Sequence, residues 1–235
     1  MIAFNLAAYA HMGIANPVSE AAIRAALDQT DLKPGDRAAE LGCGNAAAAM
    51  VLARHGLQVL AVDRGEDMVG LARRKVAEAR LDDRITVRRG EAAEIAGAEA
   101  PFRLVAALGT TALADFGQLA SWIAPGGWLL WGDLLFHGEP VRAFMEAGLT
   151  YDTDAGWRAR GRAAGLKLVD ARISDDADWD AYLADMETGA EAWIRANPDH
   201  PGRPAVMQRA AGLAALYGPA SRATLGFGLY LFRKP

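Results

Sequence analysis

Cysteine occurs once among the 235 residues, at position 43, so an intramolecular disulfide is excluded and stability must come from a core. Basic residues do not predominate: 25 Lys and Arg stand against 29 Asp and Glu, the net charge is −4, and the longest basic block is Arg73-Arg74-Lys75. A phosphate backbone would meet net repulsion with no compensating stripe, so no nucleic-acid partner is expected. No apolar run approaches the roughly 20 residues of a membrane helix, and the opening segment lacks a basic leader. No membrane partner is therefore expected, and the expected location is cytoplasmic. Histidines number only four and are scattered, and the carboxylates show no ligand spacing, so no metal site is expected. Walker A, nucleophile-elbow and catalytic paired-cysteine patterns are also missing.

What is present is apolar residue in quantity, 52% of the chain, enough for the core of one large domain. Ser19 caps a helix expected over about residues 19–29, where Ile23 and Leu27 stand four apart. Lys33 to Asp36 turns the chain into a strand, Arg37 to Leu41, which Gly42 and Gly44 stop. A helix over about 45–55 precedes Leu57 to Val62, an apolar run short enough for a strand buried on both faces of a parallel sheet. Further strands are expected at Ile85 to Arg88, Phe102 to Leu108 and Trp128 to Asp133, with helices between them, one carrying Met68, Leu71, Ala72 and Val76 on one face. Strand and helix thus alternate at βαβ spacing, which predicts an α/β fold with a doubly wound, Rossmann-like parallel sheet.

The second half breaks that alternation. A helix over about 154–164 and a strand over 166–173 are followed by residues 176–196, which place Trp179, Tyr182, Met186, Ala190 and Trp193 at helical spacing. Another helix, about 204–217, precedes a last strand over 224–232, where Gly226 and Gly228 imply close packing or a bulge. The expected organisation is a single domain over 1–235, with an N-terminal cover at 1–30 and a helical insertion at 175–220.

The segment Glu40-Leu-Gly-Cys-Gly-Asn-Ala-Ala47 lies between a predicted strand and a predicted helix. Gly42 permits a tight turn, Gly44 removes a side chain that would keep a ligand from the backbone, and Ala47 lets the helix approach the sheet. About 20 residues on, at the end of the next strand, Asp63 can accept hydrogen bonds from two ribose hydroxyls. Dinucleotide sites use the same steric solution. Glu40 discriminates, because a carboxylate there attracts a cationic ammonium and repels a pyrophosphate.

The block from Leu32 to Asn45, with Val59-Leu-Ala-Val-Asp63, Met68-Val-Gly-Leu-Ala72 and Pro125-Gly-Gly-Trp-Leu-Leu, resembles the class I methyltransferases that use S-adenosylmethionine (SAM). The N-terminal Asn16-Pro-Val-Ser-Glu20 and the late aromatic segments resemble a bacterial small-molecule subgroup. The resemblance implies a seven-stranded, mostly parallel sheet with an antiparallel last strand and a helical insertion before it. It implies SAM as cofactor, S-adenosylhomocysteine (SAH) as product and a small-molecule acceptor as partner. In such enzymes Glu40 and the Gly42–Gly44 turn surround the methionine half, Asp63 the ribose, and the segment after the third strand the adenine. The implied cofactor contacts are Glu40, Gly42, Cys43, Gly44, Asn45, Asp63, Arg64, Met68, Glu91, Ala92, Leu108 and Gly109. Two departures stand out: Glu91 replaces the common aspartate, and Arg103 follows Phe102 where an acid is usual, which removes a potential acidic contact from the pocket.

The acceptor should approach from the carboxyl ends of the strands. Tyr9 in the N-terminal segment, Asp133 at the end of the fifth strand, and Trp179 and Tyr182 in the insertion are the candidate substrate contacts, and the loop from Asp133 to Tyr151 is a further cover. His137 and His11 are the candidate general bases, because imidazole titrates near neutrality. A non-enzymatic SAM-binding or protein-interaction domain is the alternative from another class, and an NAD-dependent oxidoreductase the alternative enzyme.

Overall fold

Short runs of small and branched apolar residues form the strands that carry the molecule. In the computed structural model, which describes residues 2–138 and 151–235, these are β1 (Arg37–Leu41), β2 (Gln58–Asp63), β3 (Ile85–Arg89), β4 (Phe102–Leu108), β5 (Ile123–Phe136), β6 (Asp152–Thr153), β7 (Lys167–Ile173) and β8 (Leu225–Arg233). They make one sheet in the order β3-β2-β1-β4-β5-β8-β7, with the two-residue β6 paired off this path to the far end of β5. Neighbours from β3 to β5 are parallel, and β8 runs antiparallel between β5 and β7. The expected mostly parallel sheet with an antiparallel last strand is what forms.

Alternation along the strands divides the core into two layers. Even positions of β1, Ala38 and Glu40, face the layer that holds α2 (Glu20–Leu27), α3 (Ala47–Arg54) and α4 (Glu66–Glu78). Odd positions, Ala39 and Leu41, face α5 (Ala92–Glu99), α6 (Phe116–Ser121) and α7 (Asp154–Ala163). Trp131 is sealed in the second layer against Phe116 and Trp157, at ring distances of 5.0 and 5.2 Å.

A third apolar cluster lies apart from the sheet. It joins α1 (Ile2–His11), α8 (Asp176–Ala196) and α9 (Arg203–Tyr217) through Phe4, Ala8, Met12, Met186, Ala190, Val206 and Leu213. Helices α8 and α9 occupy the chain between β7 and β8, and α8 begins at a reciprocal cap in which Asp175 accepts from the Asp178 amide at 3.0 Å. Gly189 of α8 permits the approach of α1, since a Cβ there would stand 2.7 Å from the Ala8 carbonyl oxygen.

Three expectations are corrected. Helix α1 was not anticipated, because the segment reads as mildly apolar without a cap; its stripe Phe4, Ala8, Met12 gains meaning only against α8. Strand β5 is longer at both ends than 128–133, because Ile123 pairs with Phe102 of β4 at its start and β8 pairs along it as far as Phe136 at its end. Arg103 takes nothing from the pocket: it stands at the amino end of β4, where it donates to Asp31 at 3.1 Å. Most of the Asp133 to Tyr151 loop, residues 139–150, lies outside the described residues.

Candidate functional site

The strand order reverses between β1 and β4, and the carboxyl ends of β1, β2 and β4 open there onto a cavity of about 550 Å³. Such a reversal leaves a crevice because the helices on its two sides lead away in opposite directions. After β1 the chain enters the left-handed region three times, at Gly42 (φ 70°), Gly44 (φ 51°) and Ala46 (φ 59°). Glycine suits the first two positions because a Cβ is strained there. The turn hooks onto the neighbouring strand, with the Gly42 and Cys43 amides donating to the Val62 carbonyl at 2.8 and 2.9 Å.

Asp63, at the end of β2, locks the turn from the other side. Its Oδ2 accepts from the Gly44 amide at 2.9 Å and its Oδ1 from the Gly65 amide at 2.8 Å. An ionised carboxylate has about four acceptor sites, so two remain for a ligand. Glu40 is nearly sealed, at 4% exposure, and its Oε2 accepts from the Ala49 amide at 2.8 Å in the first turn of α3. Desolvation pushes its pKa up to about 8; the Ala49 amide opposes the shift and the nearby Asp63 charge adds to it. Burial likewise raises the Cys43 thiol.

Asn45, also buried, fastens the N-terminal helix to this turn. Its Nδ2 donates to the carbonyls of Tyr9, Met12 and Gly13 at 3.1, 3.2 and 2.9 Å, while its Oδ1 accepts from the Ala47 amide at 3.2 Å. Lys75 of α4 reaches the same carbonyl end, with Nζ 2.6 Å from the Met12 oxygen and 3.4 Å from that of Tyr9. Cationic donors suit the exposed carbonyls of a helix C-terminus. The clasp leaves the Tyr9 ring about van der Waals distance from the turn, where a Cβ on Gly44 would lie 3.9 Å from Tyr9 Cδ2.

The cavity wall contains Glu40, Gly42, Cys43, Gly44, Asn45, Asp63, Arg64, Met68, Glu91, Ala92, Leu108 and Gly109, together with Tyr9. Asp133, Trp179, Tyr182, His11 and His137 are not part of it. Asp133 is buried on β5 and accepts from the Leu134 amide at 2.8 Å; Trp179 is buried, and Tyr182 is half-buried, in the packing of α8. His11 is exposed at the end of α1, and His137 is exposed beyond β5, over Gly226. Sequence reasoning missed Asn16 and Thr110, both in the wall. Asn16 donates from Nδ2 to the Leu108 carbonyl at 3.4 Å, and Thr110 packs over Gly42 with its buried hydroxyl lacking a hydrogen-bond partner among the described residues. Asn16 opens the N-terminal segment that resembles the bacterial subgroup, but no local signal places either residue in the wall, since each acts through an approach made only in the folded chain.

A family pattern described as "Methyltransferase domain" matches residues 38–127, the stretch that supplies most of this wall. The uncharacterized protein YjhP of Escherichia coli (strain K12) is 26% identical over 180 residues, which span 72% of each chain. A SAM-dependent methyltransferase from Geobacter sulfurreducens, solved with SAH, superposes with a TM-score of 0.82 at 22% identity over 99% of this chain and 98% of that one. One from Thiobacillus denitrificans, also solved with SAH, superposes with a TM-score of 0.81 at 23% identity over the same shares. The chain has the fold of the class I SAM-dependent methyltransferases.

Proposed function

We propose that the cavity binds SAM and that the chain transfers its methyl group to a small-molecule acceptor seated beyond the carboxyl ends of β4 and β5. The observation that carries this is the buried Glu40 carboxylate beside a glycine turn that Asp63 ties to β2. The donor set fits the cofactor. Among the described residues Glu40 has one backbone donor, so its second oxygen is available to an ammonium, and Asp63 retains acceptor sites for two hydroxyls. When bound, SAM supplies a methyl carbon already made electrophilic by its sulfonium.

The chain's own residues then hold rather than activate. Glu40 and the turn would orient the amino-acid end, Asp63 the ribose, and Glu91 with Ala92 the base. Tyr9, fixed by the Asn45 clasp, would exclude water from the reacting side, so positioning and desolvation contribute most of the acceleration. Neither His11 nor His137 reaches the wall, and this reading assigns them no proton transfer. An ammonium beside Glu40 favours its ionised form and pairs with it, whereas a pyrophosphate opposes that ionisation and gains no partner, which disfavours a dinucleotide. The alternative of a partner-binding module would leave the insertion's apolar face open. Instead that face packs on α1, and the large exposed hydrophobic residues among those described are Val169 and Met207.

Titration calorimetry of the purified protein with SAM, SAH and NAD tests the reading. One SAH should bind per chain; binding of NAD with no heat from SAM or SAH would overturn it.

A further inference from the structure

The cofactor makes no use of the segment Asn16-Pro-Val-Ser-Glu20, yet the segment is anchored along its length. Ser19 caps α2 by accepting from the Ala22 amide at 3.2 Å, Val18 is buried in the core, and the Pro17 carbonyl accepts from the hydroxyl of Ser174, just past β7. The Val18 amide turns back to the Asn16 carbonyl at 2.7 Å. These ties present the Asn16 side chain to the carboxyl end of β4, where Nδ2 donates to the Leu108 carbonyl at 3.4 Å. The amide oxygen lies against Gly109, and a Cβ at that position would collide with it.

Asn16 is half-buried in the cavity wall, and among the described residues nothing donates to its Oδ1. The wall changes character on this side. Its charged side chains, Glu40, Asp63, Arg64 and Glu91, stand at or just past the ends of β1, β2 and β3, where the cofactor would run. Past β4 and along the N-terminal segment the described wall is Tyr9, Ile14, Asn16, Thr110 and Leu113, with two alanines, and none of these is charged. The Thr110 hydroxyl is sealed beneath the surface, so a ligand cannot reach it. Burial raises the Tyr9 phenol, so it stays protonated and is no base.

We propose that Asn16 is the residue that recognises the acceptor: its Oδ1 receives an N–H or O–H of an uncharged, largely apolar molecule lying against the β4 side of the cavity. The proposal rests on the SAM reading of the opposite side. A charged acceptor would lose its water here and gain no charged partner from the wall, and a cation would in addition face the sulfonium. A molecule without a donor would bury the amide oxygen unmet, which is the way a single polar group in an apolar wall discriminates. An amide takes up no proton near neutrality. Asn16 therefore orients the acceptor, with Tyr9 closing over it, and the gain is one of positioning.

The test uses the full chain saturated with sinefungin, whose amine keeps a positive charge where the sulfonium stands and has no methyl group to transfer. Fluorine NMR then follows para-fluorophenol, para-fluorotoluene with a methyl in place of the hydroxyl, para-fluorobenzoate and para-fluorobenzylammonium. The phenol should bind at least roughly fivefold more tightly than the toluene, and more tightly than either charged probe. Asn16→Leu, which keeps the size of the side chain and removes the oxygen, should weaken the phenol to the level of the toluene and leave the toluene unchanged; a loosened fold would weaken both. Asn16→Ala serves the same comparison if the leucine variant does not take up sinefungin. Equal binding of phenol and toluene by the unaltered chain, binding of neither, tighter binding of a charged probe, or a preference that survives loss of the Asn16 amide overturns the proposal alone. Failure to bind sinefungin overturns the cofactor reading and this inference together.

Discussion

Asp63 holds the glycine turn through the Gly44 amide and, on the proposed function, would also receive the ribose, so its removal confuses two effects. Asp63→Asn separates them, because the amide oxygen can still accept from one backbone donor. Loss of charge-assisted bonds to a partly buried ligand, about 1.5–3 kcal/mol each before water compensates, should weaken SAH at least tenfold in calorimetry while the far-UV spectrum is unchanged. Glu40 gives a different signature. Its carboxyl is protonated below about pH 8 in the free chain, whereas an ammonium requires it ionised. SAH affinity should therefore rise from pH 6 to 8 by up to tenfold per unit, with Glu40→Gln flattening the profile. For the free chain the sign reverses. A carboxyl with a raised folded pKa stabilises below the unfolded value of 4.5 and loses that contribution as pH rises through about 8, so urea titrations should show Glu40→Gln gaining relative stability across that window. These residues were legible because the turn, the acid and Glu40 are close in sequence and their spacing has a steric reason. Thr110, Asn16 and Lys75 were not, since each earns its place only when distant strands and helices meet.

Among the elements, α1 depends on contacts made by others. Its last carbonyls are held by Asn45, in the turn, and by Lys75, on α4. Asn45→Ala would leave buried carbonyls short of donors, at about 1–3 kcal/mol for the unmet groups. Hydrogen exchange should then quicken in α1, with β1, β2 and β4 still protected, and SAH affinity should fall; unchanged protection of α1 would show that the clasp is dispensable. Legibility followed the same division. Helix α8 could be read from its aromatic spacing and its polar cap, and the parallel strands from their unbroken apolar runs. Helix α1 could not, because its apolar residues pack against a helix far along the chain, and neither could the outer pairing of β5, which β8 imposes.

As a whole the molecule is a two-layered sheet core with a three-helix cover, and the cover carries one wall of the cavity. Ligand that binds only the folded chain should raise Tm, by about 2.7 kcal/mol of stabilisation at a hundredfold excess over Kd. Gly189→Ala places a methyl against the backbone of Ala8 and should separate α1 from α8 at a cost on the order of 1–3 kcal/mol. The sheet should survive, so calorimetric unfolding would lose cooperativity rather than amplitude. That close helix contact also has a kinetic meaning. Helices sharing one apolar cluster are expected to detach together, and with Tyr9 of α1 in the cavity wall such a collective opening would pace ligand exchange but not methyl transfer. The first turnover should appear as a burst of up to one SAH per chain, followed by a slower steady rate set by escape of the spent product, and Gly189→Ala should erase the burst by hastening that escape.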